Sequence, residues 1–407
     1  MIVVVILFWV SLSVMVFCYI GYGLLLYTLN AVKKLFKSPV ANAAKAGNKY
    51  NRLDHPSEWP PVTLIIAAYN EGLDLKQKLQ NTLDIDYPTE QLRVIFVTDG
   101  TTDGSHKIID EHIGITLLHE EKREGKLAAI TRAMKLVDTP FVIFSDANAM
   151  LNRECIKRMI AHYYNNPKTG GVAGEKKIIS REKQSAIGEA EGLYWQYESF
   201  MKKQDAGFNT VVGAAGELYS IRTKLFQAPA HDLILDDFII SMQVCLKGYK
   251  IEYEPGAFAT ELPSASLKEE MKRKVRISAG AYQSIGYLSA ALNFFKHPLL
   301  CFQYISRRLL RWVCCPWMLI ILFVTNILIL TDHKASGIYS LFLFAQIFFY
   351  MIALAGGYLL RSGNAVGIFA VPFYFLFMNF CLVKGFIRFL KKKQPVQWER
   401  SLREAEG

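Results

Sequence analysis

Met1 to Asn30, MIVVVILFWVSLSVMVFCYIGYGLLLYTLN, contain no charged residue. A bilayer core is crossed by about 20 apolar residues at a rise of roughly 1.5 Å each, so this segment is long enough to span. A cleaved signal peptide would carry its basic residues before a shorter apolar core, whereas here Lys33, Lys34 and Lys37 follow it. By the positive-inside rule the chain then enters the cytosol. A second apolar region begins near Leu299 and predicts three further spans, Val313 to Leu330, Ile338 to Leu360 and Val366 to about Phe389.

Counted from outside, one span leads in and three lead out. That sets the basic tail KKKQPVQWERSLREAEG against the positive-inside rule unless one C-terminal segment lies in the interface or re-enters. A composition that is 52% hydrophobic, with mean hydropathy +0.18, also excludes an ordinary soluble enzyme. The net charge of +11 gathers partly beside the spans, in KEEMKRKVR and FLKKK. Lipid head groups and an anionic ligand account for it better than nucleic acid, for which no motif is present. The cysteines at 18, 155, 245, 301, 314, 315 and 381 have neither metal-ligand spacing nor the layout of a disulfide framework.

The sequence divides into a membrane segment (1–30), an Ala/Asn/Pro-rich linker (31–60), a domain (61–265), amphipathic interface helices (266–312), a C-terminal membrane region (313–390) and a basic tail (391–407). In the domain, VTLIIAAYNE, LRVIFVTDG, GITLLHE and PFVIFSDAN are continuous apolar runs, as in parallel strands buried on both faces. Helical patterns such as LDLKQKLQNTL and GKLAAITRAMKLV separate them, which predicts a mostly parallel α/β sheet flanked by helices.

Ligands of such sheets bind beyond the carboxyl ends of the strands. There the runs end in polar residues: Asn70 and Glu71, then Asp99, then Asp146 and Asn148. Each alone is at home as a turn or capping residue; three at successive strand ends point to one crevice. Asp146 and Asn148, two apart on extended chain, present oxygens to one hard cation such as Mg²⁺ or Mn²⁺ shared with a substrate phosphate. KREGK, ending in Lys126, opens a helix beside that crevice with donors suited to phosphate. In LILDDF, Asp236 and Asp237 begin another helix, and their 100° offset lets at most one face the crevice squarely. One can cap and the other serve as a base. Arg273 and Arg276 share a helical face before the membrane, equally suited to lipid head groups. Trp195 and Tyr197 can stack on sugar rings or pack their helix on the sheet. Arg311 and Trp312 of LLRW read as interface anchors.

In this order the residues resemble the family 2 glycosyltransferases, in the membrane-bound branch that includes cellulose, hyaluronan and poly-N-acetylglucosamine synthases. The resemblance implies a GT-A type sheet with one N-terminal and about three C-terminal transmembrane helices. It implies a nucleotide-sugar donor held by Ala68, Asn70, Glu71, Asp99, Lys126, Asp146, Arg273 and Arg276. It places the metal at Asp146 and Asn148, the latter a neutral ligand where the family's D-x-D motif has a second acid. Gly216 and Glu217 of GAAGELYSIR, with Asp236, Trp195 and Tyr197, stand at the acceptor, and Asp237 is the catalytic base of an inverting transfer. The family's Q-x-x-R-W motif is degenerate here: RKVRI puts Ile277 in the Trp position.

The implied setting is the bacterial inner membrane with the catalytic domain cytosolic, acting on a glycan or lipid-linked acceptor. With so few spans, export of a polymer would need a homo-oligomer or a partner. A single-addition transferase stays open beside polymer synthesis, as does a non-catalytic sugar-nucleotide-binding regulator of a synthase complex.

Overall fold

A computed structural model describes residues 1–36, 58–179, 186–230, 232–332, 336–362 and 366–391. Most of the linker and the basic tail after 391 therefore lie outside the described residues. The long apolar helix α1 is Ile2–Leu35. Four β-strand and helix units follow: β1 Val62–Ala68, α2 Gly72–Leu83, β2 Leu92–Asp99, α3 Ser105–Asp110, β3 Ile115–Glu120, α4 Lys126–Met134, β4 Phe141–Asp146, β5 Met150–Leu151 and α5 Cys155–Asn165. Then come β6 Thr169–Ile178, α6 Ala186–Phe208, β7 Tyr219–Arg222, α7 Asp236–Leu246, β8 Lys250–Glu261 and α8 Leu267–Tyr287. Three more long apolar helices complete the described chain, α9 Pro298–Leu330, α10 Gly337–Arg361 and α11 Gly367–Leu390.

The strands form one eight-stranded sheet in the order β3-β2-β1-β4-β7-β6-β8-β5. β3, β2, β1 and β4 are mutually parallel, β7 runs antiparallel between β4 and β6, and β8 is parallel to β6. Every residue of β1 is buried. Its Ile65 and Ala67 join one core with Val97, Leu127 and Phe144, while its Leu64 and Ile66 join the opposite core with Phe96, Ile143 and Met159. This two-sided burial is why the runs read as continuous apolar sequence. The chain leaves β1 toward β2 on one side and returns to β4 on the other, so a crevice opens at the carboxyl ends of β1 and β4.

Helix α8 begins with Ser266, whose side chain accepts from Glu269 N at 3.2 Å, with Glu269 and Glu270 in the first turn. It packs against α11 closely enough that a Cβ on Gly385 would lie 2.9 Å from Ala279 N. The expected interface region 266–312 is thus two structures: α8, and the first half of α9, which runs on without a break into the membrane-length helix. Ile305–Cys314 of α9 is π-helical.

Arg311, expected as an interface anchor, is buried instead. Its guanidinium meets Glu198 of α6 at 2.7 Å; Arg307 meets the same carboxylate at 2.7 Å and Asp205 at 3.2 Å. Tyr22 of α1 donates to Asp205 at 2.6 Å, so one buried charge cluster joins the domain to two apolar helices. Breaking a buried pair leaves its partner charge uncompensated, at about 3–5 kcal/mol. Glu198→Ala is therefore expected to lower the unfolding midpoint of the detergent-solubilised chain strongly, whereas Lys272→Ala, at an exposed pair with Glu269, should change it little.

Candidate functional site

A cavity of about 690 Å³ lies at the carboxyl ends of β1 and β4 and extends to the apolar helices. Its sheet end is lined by Glu71, Lys126, Asp146, Asn148, Gly216 and Asp237. Lys126, the first residue of α4, reaches Asp146 Oδ1 at 2.5 Å and Asp236 Oδ2 at 4.0 Å. Its proton is held more tightly than usual: burial alone would loosen it, and Asp146, Asp236 and Asp237 override that. A Cβ on Gly216 would lie 3.2 Å from Lys126 Nζ, 3.3 Å from Asp237 Oδ2 and 3.6 Å from Asp146 Oδ2. A side chain there would press on the ammonium and on the Asp237 carboxylate, so the glycine leaves the space between the three ionisable groups open.

Both Asp236 and Asp237 line the cavity. Both acids sit in the first turn of α7, and Asp236 is the more enclosed, 6% exposed with Oδ2 4.0 Å from Lys126 Nζ. Asp237 Oδ1 accepts from Phe238 N at 2.7 Å. Burial, then the neighbouring Asp236 carboxylate, push the Asp237 carboxyl up to about 7. That value suits a group that must take a proton near neutral pH.

Other residues read from the sequence have different surroundings. Asp99 is fully buried and lies outside the cavity wall: its carboxylate accepts from Gly125 N at 2.6 Å and Glu124 N at 3.0 Å and pairs with Arg132 at 3.3 Å. It fixes the KREGK turn, and through it the start of α4 that carries Lys126. Asn70, with φ of +53°, accepts from Thr102 N at 2.9 Å, and Asp103 accepts from Gly72 N at 2.9 Å. These bonds clasp the loops after β1 and β2 together. Ala68 is buried in the strand core behind them.

Arg273 does line the cavity, but its guanidinium is held by Glu191 and, at 2.8 Å, by Glu270. Its place is structural first: it braces α8 against α6. Arg276 lines the same wall. Glu217 is bound by Lys176, which also meets Glu261 at 2.8 Å. Burial would raise its carboxyl, and the Lys176 ammonium instead pulls it down to about 2. Trp195 and Tyr197 line the cavity below, and the Tyr197 hydroxyl donates to Tyr19 O of α1 at 3.1 Å.

Sequence reading missed four buried lysines among the described residues, Lys78, Lys176, Lys202 and, on α8, Lys274. Lys78 is wholly buried, donates to Ser145 Oγ at 3.1 Å and to Ala149 O, and so props the turn that carries Asp146 and Asn148. Lys176 and Lys202 stand on β6 and α6, 2% and 3% exposed. The Lys78 signal was available, since it falls on the apolar stripe of its helix with Leu75 and Leu79.

Among the described residues no three His, Cys, Asp or Glu side chains could enclose a metal ion. Asp146 and Asn148 instead offer an open-sided pair of oxygen ligands on the cavity wall, the kind of set that Mg²⁺ or Mn²⁺ completes with water and phosphate oxygens. The local charge fits a cation, because Asp146, Asp236 and Asp237 all lie in the field of the Lys126 ammonium and, after burial, the Asp236 carboxylate adds to the rise of the Asp237 carboxyl.

That retained proton has a consequence for stability. An unfolded aspartate releases its proton near 3.8, and the folded Asp237 near 7, so the folded state binds more protons between these values and loses stability as pH rises through that window. Asp237→Asn should unfold at a higher temperature than the unsubstituted chain at pH 8 and at the same temperature below pH 4, as read by calorimetry in detergent.

Residues 63–227 match the family model described as Glycosyl transferase family 2. Among curated proteins, the poly-beta-1,6-N-acetyl-D-glucosamine synthase of Staphylococcus aureus (strain COL) is 26% identical over 238 residues, covering 56% of this chain and 56% of the synthase. That of Staphylococcus epidermidis is 26% identical over 234 residues, covering 54% and 55%. The chain thus spans about half the length of the curated relatives it matches. Among solved structures, the mannosyltransferase PcManGT from Pyrobaculum calidifontis, in complex with GDP-Man and Mn²⁺, is similar over 95% of this chain and 100% of that one, with a TM-score of 0.66 at 18% identity. This likeness shows a shared fold that includes the apolar helices. Over residues 63–227 the chain is thus similar to glycosyl transferase family 2.

Proposed function

We propose that the chain is a membrane-embedded, inverting glycosyltransferase that moves a hexose or N-acetylhexosamine from a nucleoside-diphosphate donor to an acceptor hydroxyl. The observation that carries this reading is the convergence of Lys126, Asp146 and Asp237 on the backbone of Gly216, inside a cavity open toward the membrane helices. The relatives named for poly-N-acetylglucosamine synthesis support an N-acetylhexosaminyl donor. The basic end of α1 supports a cytosolic catalytic face.

Lys126 binds the donor diphosphate, and Asp146 with Asn148 would hold a divalent cation against it. When bound, that cation supplies charge neutralisation for the departing nucleoside diphosphate. Asp237 takes the proton of the acceptor hydroxyl as its oxygen bonds to the anomeric carbon and the bond from that carbon to the diphosphate breaks. Gly216 lets base, ammonium and sugar approach one another without an intervening side chain. Trp195, on the acceptor side, offers a ring face to a sugar.

The test is nucleotide release by the detergent-purified chain over a panel of UDP- and GDP-sugars, with Mn²⁺, Mg²⁺ or a chelator. Release of one nucleotide is expected, and the chelator should suppress it. Asp237→Asn should lower kcat by about 10²–10⁴-fold with little change in donor affinity, the usual worth of a general base. Lys126→Met should weaken donor binding itself. The rate should rise with pH through about 7, as Asp237 loses its proton. Release unaffected by Asp237→Asn, or a flat pH profile, would remove Asp237 from the mechanism.

A further inference from the structure

With three spans after the domain, the basic tail would leave on the outer side, against the positive-inside rule. The packing of α11 bears on that conflict, because α11 keeps step with α8. Tyr374 donates to Glu270 Oε1 at 2.7 Å, and a Cβ on Gly385 would lie 2.9 Å from Ala279 N. Further on, the rings of Phe386 and Phe389 are centred 5.0 and 6.2 Å from that of Tyr282. Partners advance together on both helices, so the two lie side by side and parallel. α8 carries seven charged residues between Lys268 and Arg276. That density keeps it out of hydrocarbon, and a helix laid along it shares its depth.

The other apolar helices give a second measure of depth. The Phe375 ring is 4.7 Å from that of Tyr19 of α1, and the Phe386 ring, eleven residues on, is 5.9 Å from that of Trp317 of α9. Cys18 packs with Cys315, which puts Tyr19 and Trp317 within about one helical turn of the same height. Eleven helical residues advance about 16 Å, against about 5 Å for one turn. α11 therefore travels mostly sideways, from α1 to α9, and little along them. Phe349 of α10 also meets Phe375, at 5.6 Å. With α1, α9 and α10 all against it, α11 follows their tilt without sharing their direction.

The free side of this helix pair is basic. Lys268 and Lys272 of α8 are exposed, and Lys384, Arg388 and Lys391 recur at i, i+4 and i+7 on one face of α11. Lys384 reaches Met271 Sδ of α8 at 3.7 Å, which joins the two sets. Val371, Phe380, Ile387 and Leu390 of α11 are exposed as well. Apolar side chains for the edge of the hydrocarbon and cations for phosphate thus stand on one helix, the make-up of a helix that lies in the interface.

We propose that α11 is docked on the anionic head groups of the cytosolic leaflet and is not a fourth span. The chain then crosses three times, inward at α1, outward at α9 and inward at α10. Arg361, in the last turn of α10, stands with Lys33, Lys34 and Lys391 on the side of the catalytic domain. The basic tail follows them, and the conflict with the positive-inside rule is gone.

Neither donor nor acceptor enters the test, so its outcome is independent of the transfer reading. The full chain is expressed in bacteria with green fluorescent protein or alkaline phosphatase joined after Gly407. The first fluoresces only in the cytosol and the second is active only outside it. Fluorescence without phosphatase activity is expected; phosphatase activity without fluorescence would carry α11 across the bilayer and overturn the proposal. Depth is read on Phe380→Cys, near the middle of α11, labelled with a fluorophore in phosphatidylglycerol vesicles, with the signal of the unsubstituted chain subtracted. A nitroxide on the lipid head group should quench it severalfold more than one at the end of the acyl chain, and the reverse order also overturns the proposal. The unfolding midpoint should be higher in phosphatidylglycerol than in phosphatidylcholine vesicles, and Lys384→Gln combined with Arg388→Gln should remove most of that difference. Equal midpoints in the two lipids, or a difference untouched by the double substitution, would overturn the head-group contact at α11.

Discussion

The Glu198 carboxylate holds this architecture in register. It receives Arg307 and Arg311 from α9, while Asp205, two helical turns further along α6, receives Arg307 again together with Tyr22 of α1. Charges buried at this depth tolerate little displacement, because loosening one contact leaves another ion without a partner. The consequence is positional. With α6 fixed to α1 and α9, the carboxyl edge of the sheet is set facing the apolar helices, and the cavity between them becomes a feature of the fold.

On that frame the site is assembled by secondary contacts as much as by the residues that would meet substrate. Asp99 shapes the turn before Lys126, Lys78 supports the turn of Asp146 and Asn148, and Arg273 ties α8 to α6. The resulting cluster has more carboxylate than ammonium, and burial together with the Asp236 carboxylate raises the Asp237 carboxyl. A site poised in this way gives up stability for affinity toward cations and for a base that works near neutral pH.

The parallel half of the sheet was legible because β1, β2 and β4 are buried on both faces and so read as unbroken apolar runs. Their polar ends marked the crevice for the same reason. Illegible were the partners. Asp99 and Arg273 read as ligands in sequence, and the groups that also hold them include Glu124, 25 residues from Asp99, and Glu191, 82 residues from Arg273. Arg311 looks like an interface anchor until Glu198, 113 residues earlier, is seen to meet it. A lysine in a helix is read as solvent-facing by default, so Lys202 became conspicuous only when its neighbours were known.

The contact at Gly385 carries one more implication. With no side chain there, α11 sits directly on the backbone of α8, the helix whose Arg273, Lys274 and Arg276 form a wall of the cavity. Such a junction has no compressible layer, so a tilt of α11 is passed to that wall. Helices adjust their tilt to hydrocarbon thickness at a cost of only fractions of a kcal/mol per Å. The thickness of the surrounding bilayer thereby becomes a variable of the cavity's shape, and lipid composition acts on this chain through a lever as well as through solvation.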